Sequence, residues 1–136
     1  MAVILIIEDD NSLREVLRHA LSQAGHSVIE AQNGREGLRL FDSIGADLLI
    51  TDMIMPEMEG CEVLMALHRK NPSLKIIAIS GGHQQDAGDV LHIATLLGAS
   101  KVLRKPFSYE VLVATVNGLL ADAGNSVAAR ATAADG

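Results

Sequence analysis

Apolar residues gather along this chain in five short blocks and, between the blocks, recur at helical intervals. The blocks fall near residues 3–7, 27–31, 48–51, 75–79 and 101–104, and their length and polar or glycine flanks predict strands. Between the first two, Leu13, Val16, Leu17, Ala20, Leu21 and Ala24 recur at steps of three and one. That spacing predicts a one-faced helix, with Gly25 in the place of a left-handed cap. A second helix opens at Asn33-Gly-Arg-Glu36, similar to a capping box, and is expected to bury Leu40, Phe41 and Ile44. The third runs from about Gly60; His68, Arg69 and Lys70 suit its negative end before Asn71-Pro72 stops it. A fourth, near 86–97, carries Ala87, Val90, Leu91, Ala94 and Leu97 and ends at Gly98. Gly88 inside it weakens it by about 1 kcal/mol relative to alanine. The fifth starts from Ser108 as N-cap and presents Leu112, Val116 and Leu119.

Strands alternating with helices imply parallel β-α-β units with right-handed crossovers, and so an α/β doubly wound sheet. The first and third strands are nearly unbroken apolar runs, as strands covered on both faces are. The second, Ser27-Val-Ile-Glu-Ala31, is more polar and suits an edge. The strand order that follows is 2-1-3-4-5, with the switch point between the first and third strands. After Ala121 the chain turns to small and polar residues with little to bury. The expected division is therefore one domain over 1–121 and a mobile tail over 122–136.

Composition narrows the function. At 136 residues and 49% hydrophobic the chain can bury a core within one domain. No apolar run approaches the roughly 20 residues that span a bilayer, and no basic segment precedes the first block as in a signal peptide. Cys61 stands alone, which suits a reducing cytoplasm. The net charge of −6, the absence of a basic block and only 2% aromatics argue against direct nucleic-acid binding.

The ends of the strands carry the chemistry. Residues 3–7 lead into Glu8-Asp9-Asp10, the third block ends on Asp52, 76–79 lead into Ser80-Gly81-Gly82, and Val102-Leu103 lead into Arg104-Lys105-Pro106. Ligands of open parallel sheets bind outside the carboxyl ends of the strands. Glu8, Asp9 and Asp52 would meet at the switch-point crevice, where three carboxylates resist joint ionisation. Mg²⁺ is the natural counter-charge, since it takes one or two carboxylates and keeps waters beside a phosphoryl group. Lys105 is a second, and Ser80 offers a hydroxyl donor. Together they describe a phosphoryl-transfer site with an aspartyl-phosphate intermediate. Neither glycine-rich phosphate-loop motif occurs.

At this point the chain closely resembles the receiver domains of two-component response regulators. The resemblance covers about residues 2–121 and rests on Glu8-Asp9-Asp10, Asp52-Met-Ile-Met-Pro56 with Gly60, Ser80-Gly81 and Lys105-Pro106-Phe107, in order. It implies a flavodoxin-like sheet with five helices. It also implies that Asp52 is the phosphoacceptor for a histidine kinase or a histidine phosphotransfer protein. Asp9 resembles the direct Mg²⁺ ligand, Glu8 a ligand through water, and Ile54 the donor of a backbone carbonyl, while Asp10 is one place beyond the acidic pair. Ser80 and Lys105 match the positions that contact the phosphoryl oxygens, and a cis Lys105-Pro106 bond is expected. A signalling domain rather than an enzyme follows, cytoplasmic and stand-alone, acting on a downstream protein.

One departure stands out. Three residues before Lys105 many family members place Tyr or Phe; here it is Val102, which has no ring to rotate. Activation is then expected to travel through the backbone of the Ser80–Asp86 loop, with Gly81, Gly82 and Gly88 easing the change. Ile54 and Gly82 offer no polar side chain to position a water, so slow self-hydrolysis is expected.

Plainer readings compete at each residue. An isolated acidic triplet is usually a solvated turn, and a lone serine a turn residue; the company of Asp52 and Lys105 reverses both. Cys61 reads as a small packed side chain, His19, His26, His68, His83 and His92 as surface residues, and Met53, Met55 and Met58 as packing beneath a loop. A receiver excised from a longer regulator is the alternative. An aspartyl-nucleophile phosphohydrolase would commonly need a second acid where Ile54 stands, and a flavin or nucleotide binder would need neutral or glycine-rich loops where this chain has acids.

Overall fold

Alternation within each strand decides the architecture. In β1 (Val3–Ile7), Leu5 and Ile7 face one core cluster while Ile4 and Ile6 face another, and β3 (Leu48–Asp52) and β4 (Lys75–Ser80) divide their residues the same way. Successive side chains of a strand point to opposite faces, so a run apolar at every position must be covered twice. Each fully buried Leu or Ile then contributes roughly 1.5–3 kcal/mol.

The computed structural model describes residues 2–53, 60–80, 92 and 94–122. Five parallel strands stand in the order β2-β1-β3-β4-β5, with β2 (Ser27–Ala31) and β5 (Lys101–Arg104) at the edges. Helices α1 (Asn11–Gln23) and α5 (Tyr109–Asp122) cover one face; α2 (Gly34–Ile44), α3 (Gly60–Lys70) and α4, of which residues 92 and 94–97 are described, cover the other. The expected order and fold class hold. Two strands run one residue further than their apolar patterns, to Asp52 and Ser80 themselves.

Local chemistry explains the helix starts. The Asp10 carboxylate accepts from the amides of Ser12 and Leu13 and caps α1. Asn33 accepts from Glu36 N–H at 2.8 Å and caps α2, and Ser108 Oγ accepts from Val111 N–H at 3.1 Å at the start of α5. Gly25 has φ +95°, the left-handed conformation expected of it after α1. Gly37 is needed for a different reason: a Cβ there would collide with the side chain of Ile7, so α2 lies close against the sheet.

Several side chains depart from the pattern. Ile44 is 61% exposed, because it sits at the last turn of α2 beyond the edge of the sheet's cover. Leu40 and Phe41 are half-buried and pack against the core. Val16 is exposed, off the α1 stripe formed by Leu17, Ala20 and Leu21. His26 and His68 are half-buried rather than superficial; the His68 ring packs so closely on Gly98 that a Cβ there would lie 2.8 Å from it. Met53 is buried as expected, and Val102 is half-buried against the same core. Met55, Met58, His83, the side chain of Cys61, the early part of the fourth helix and the tail from residue 123 lie outside the described residues.

Candidate functional site

The sheet's hydrogen-bond ladder fixes where the polar groups emerge. Register places Ile7 beside Thr51, Asp52 beside Ile79, and Ser80 beside Arg104. The ladder then continues past the strand ends: Glu8 N–H donates to Ala31 O, Met53 N–H to Ile79 O, and Lys105 N–H to Ser80 O at 2.8 Å. Glu8, Asp52, Ser80 and Lys105 are thus held by backbone at the carboxyl end of the sheet, around the switch point between β1 and β3.

Three carboxylates meet there. Oxygens of Glu8, Asp9 and Asp52 all lie within 4.8 Å of one another. Glu8 and Asp52 are buried, at 1% and 5% exposure, whereas Asp9 is exposed. Lys105 Nζ reaches both buried acids, 3.0 Å from Asp52 Oδ2 and 3.5 Å from Glu8 Oε1. Burial pushes the Glu8 carboxyl up to about 8, reinforced by the charge of Asp52 and a hydrogen bond with Asp9; the Asp10 amide and Lys105 oppose this without overcoming it. For Lys105 burial alone would lower the pKa, but the hydrogen bond and charge of Asp52, with Glu8 behind it, raise it above its ordinary value.

Two buried oxygens are incompletely satisfied. Ser80 Oγ has no hydrogen-bond partner among the described residues, and Glu8 Oε1 has no hydrogen bond there beyond its ion pair with Lys105 at 3.5 Å. Buried polar groups are hydrogen-bonded in the great majority of cases, so incomplete ones at a converging acid cluster point to a ligand. Hard carboxylate oxygens, two of them buried and one open to solvent, suit Mg²⁺ with its waters, the ion taking the place of the Glu8 proton. The donor set fits that ion.

Of the residues singled out in the sequence, Glu8, Asp9, Asp52 and Lys105 come together, with Ser80 on the neighbouring strand end. Ile54, Gly81 and Gly82 lie outside the described residues. Asp10 turns away to cap α1. The Lys105-Pro106 bond is cis. One residue reaches the site with no motif to mark it: Arg14 donates from Nη1 to Glu8 O at 2.8 Å. Its only signal in the sequence is the pair Arg14 and Arg18, one helical turn apart and followed by Glu30; a bond to a backbone carbonyl leaves no trace in residue type. Beside Lys105 an open groove of about 330 Å³ is lined by Leu13, Val16, Phe107 and Tyr109.

Comparison with known proteins agrees with this geometry. A family model described as the response regulator receiver domain matches residues 4–117. The response regulator MprA of Mycolicibacterium vanbaalenii is 37% identical over 117 residues, 86% of this chain and 49% of that protein. The chain spans about half or less of the length of the first curated relatives it matches. A receiver domain protein from Clostridium thermocellum superposes with a TM-score of 0.82 at 30% identity, covering 90% of this chain and 96% of the other. The response regulator TrrA of Thermotoga maritima, solved with Mg²⁺-BeF, gives 0.77 at 30% identity, covering 88% and 99%.

Proposed function

The chain belongs to the response regulator receiver domain family, and from that premise we propose that Asp52 accepts a phosphoryl group in a Mg²⁺-dependent reaction. The carrying observation is a buried carboxylate at the end of β3, set among Glu8 and Asp9 and in contact with Lys105. In the step, an Asp52 oxygen forms a bond to phosphorus as the phosphorus–nitrogen bond to a donor histidine breaks, leaving an acyl phosphate. Glu8, Asp9, Asp52 and the Ile54 carbonyl would hold the ion, which supplies charge neutralisation for the incoming phosphoryl oxygens. Lys105 would exchange its contact with Asp52 for one with a phosphoryl oxygen, and Ser80 Oγ would donate to another.

The proposed donor is a sensor histidine kinase or a histidine phosphotransfer protein. The groove beside Lys105, with Val16 and Tyr109 exposed at its rim, offers such a protein apolar surface next to the lysine that contacts Asp52. The readout is a changed surface presented to a downstream protein in the cytoplasm. Among the described residues no helix is long and apolar enough to cross a membrane.

Intact mass after incubation with acetyl phosphate and Mg²⁺ tests the reading. One alkali-labile phosphoryl adduct is expected on the wild type and none on Asp52→Asn. An equal adduct on the variant would overturn the assignment.

A further inference from the structure

The acidic loop is held by more than the sheet. Glu8 uses all its backbone polar groups: N–H donates to Ala31 O at 3.1 Å, and the carbonyl accepts from Arg14 Nη1 at 2.8 Å. Its side chain is tied as well, since Oε2 accepts from Asp10 N–H at 3.0 Å. Arg14 lies one turn into α1, where its own N–H closes the first helical bond to Asp10 O, and its guanidinium folds back to the carbonyl that precedes the helix. The same guanidinium is anchored on two other sides. Nη2 donates to Asn11 Oδ1, and Nε lies 3.6 Å from Glu30 Oε1 on β2. Its side chain is only 13% exposed.

This is a different arrangement from a surface ion pair, which contributes little. Arg18 provides the contrast: it meets the same Glu30 at 3.7 Å with a side chain 41% exposed, and no described hydrogen bond takes it to the acidic loop. A guanidinium offers a rigid fork of donors that can serve a carbonyl, an amide oxygen and a carboxylate at once. What it fixes here is the peptide between Glu8 and Asp9. Asp9 is exposed and its side chain hydrogen-bonds Glu8, so the peptide joining the two residues sets how both carboxylates are presented.

We infer that Arg14, braced by Glu30, is a positioning residue: by clamping the Glu8 carbonyl it sets the angle at which Glu8 and Asp9 present their carboxylates to a divalent cation. This rests on the reading of the acid cluster as a Mg²⁺ site. It joins the edge strand β2 to the site, so the brace adds a route by which a change at the α1–β2 surface alters the affinity of the crevice.

The test is calorimetric titration of the full chain with Mg²⁺ alone, beside amide exchange of residues 9 and 10 without metal. Partners that orient metal ligands typically govern affinity by about 10–100-fold, and Arg14→Gln is expected to weaken Mg²⁺ within that range. Arg14→Lys, with one compact ammonium, should recover little of it. Glu30→Gln should weaken binding less, and Arg18→Gln should leave it within about twofold, as a screened surface pair does. Amide exchange at Asp9 and Asp10 should quicken in the two Arg14 variants before any metal is added. If Arg14→Gln does not fold, Arg14→Lys and Glu30→Gln carry the test. Variants that melt earlier yet bind Mg²⁺ like the wild type would make Arg14 a plain structural tie and overturn the inference. A wild type that takes no Mg²⁺, or takes it unchanged in Asp9→Asn, would instead overturn the metal site and the positioning role with it.

Discussion

The two ends of this sheet treat polar groups in opposite ways. At the amino end they close the fold. Asp47 Oδ2 accepts from Val3 N–H at 2.9 Å while Asp47 N–H donates to Val3 O, and Ser100 and Ile76 exchange the same pair of bonds. His26 Nδ1 accepts from Ala2 N–H, which leaves Nε2 to donate to Asn117 Oδ1 at 2.9 Å, tying the turn before β2 to α5. At the carboxyl end Glu8 Oε1 and Ser80 Oγ are buried without a hydrogen bond among the described residues, and three acids crowd together. One backbone ladder runs through both ends, so the contrast lies wholly in side chains. Polar groups that satisfy one another stabilise; polar groups left incomplete are places for a ligand to complete.

The largest expected effect separates the ends by chemistry. Asp52→Asn should lose phosphoryl uptake altogether, whereas Asp47→Ala, at the other end of β1 and β3, should take up one phosphoryl group as the wild type does. Loss of uptake in both would mean that the fold, not the carboxylate, is what the first substitution reports.

Next in size is a pH dependence peculiar to the carboxyl end. The folded Glu8 pKa of about 8 lies above its ordinary 4.5, so between those values the folded state binds more protons than the unfolded one. The contribution of Glu8 to metal-free stability is therefore fully present below pH 4.5 and is lost as pH rises through about 8. Mg²⁺ binding must displace that proton, so its affinity should rise about tenfold per pH unit below the transition and level off above it. Titrations between about pH 6 and pH 9 check this. Glu8→Gln should flatten the proton-linked part of the profile, and an unchanged profile would assign the proton elsewhere.

How far the sequence reveals each end follows from the same contrast. The acids, the serine and the lysine at the carboxyl end are legible because each breaks an apolar run, and register then has little freedom over where it emerges. The strand order is legible from which runs are apolar at every position. At the amino end Asp47 and His26 carry no pattern, since each serves a backbone group on a distant segment. Arg14 escapes for the same reason. Ile44 and Val16 are exposed despite their spacing, because helical spacing gives a face but not where the covering sheet stops, nor which flank of the face a groove leaves open.

A smaller effect is expected from the amino end. Asp47→Ala removes the acceptor of Val3 N–H and should cost about 1–3 kcal/mol. Glu8→Gln, at the opposite end, should raise the stability of the metal-free protein above the wild type at about pH 9, because it removes a buried charge. Urea unfolding of both variants without metal measures the difference. Equal losses would erase the distinction between ends that close and ends that stay open.

The smallest effect sharpens the comparison most. Ser80 is 1% exposed at the end of a central strand, where a polar side chain would ordinarily be locked into a bond whose loss is costly. With no partner for Oγ among the described residues, Ser80→Ala deletes a desolvated hydroxyl and no described hydrogen bond. Unfolding of the metal-free variant should therefore lie within about 0.5 kcal/mol of the wild type. The same substitution should leave Asp52 able to take a phosphoryl group, because the Asp52 carboxylate and its contact with Lys105 are untouched. On the proposed function it removes a donor that would gain a partner only in the phosphorylated state, and a ligand shifts a conformational equilibrium only through contacts that differ between its states. Amide exchange with and without beryllofluoride should then change less across residues 80–90 in Ser80→Ala than in the wild type. A variant that loses more than about 1 kcal/mol without metal would place Ser80 among the groups that close the fold, with the amino end.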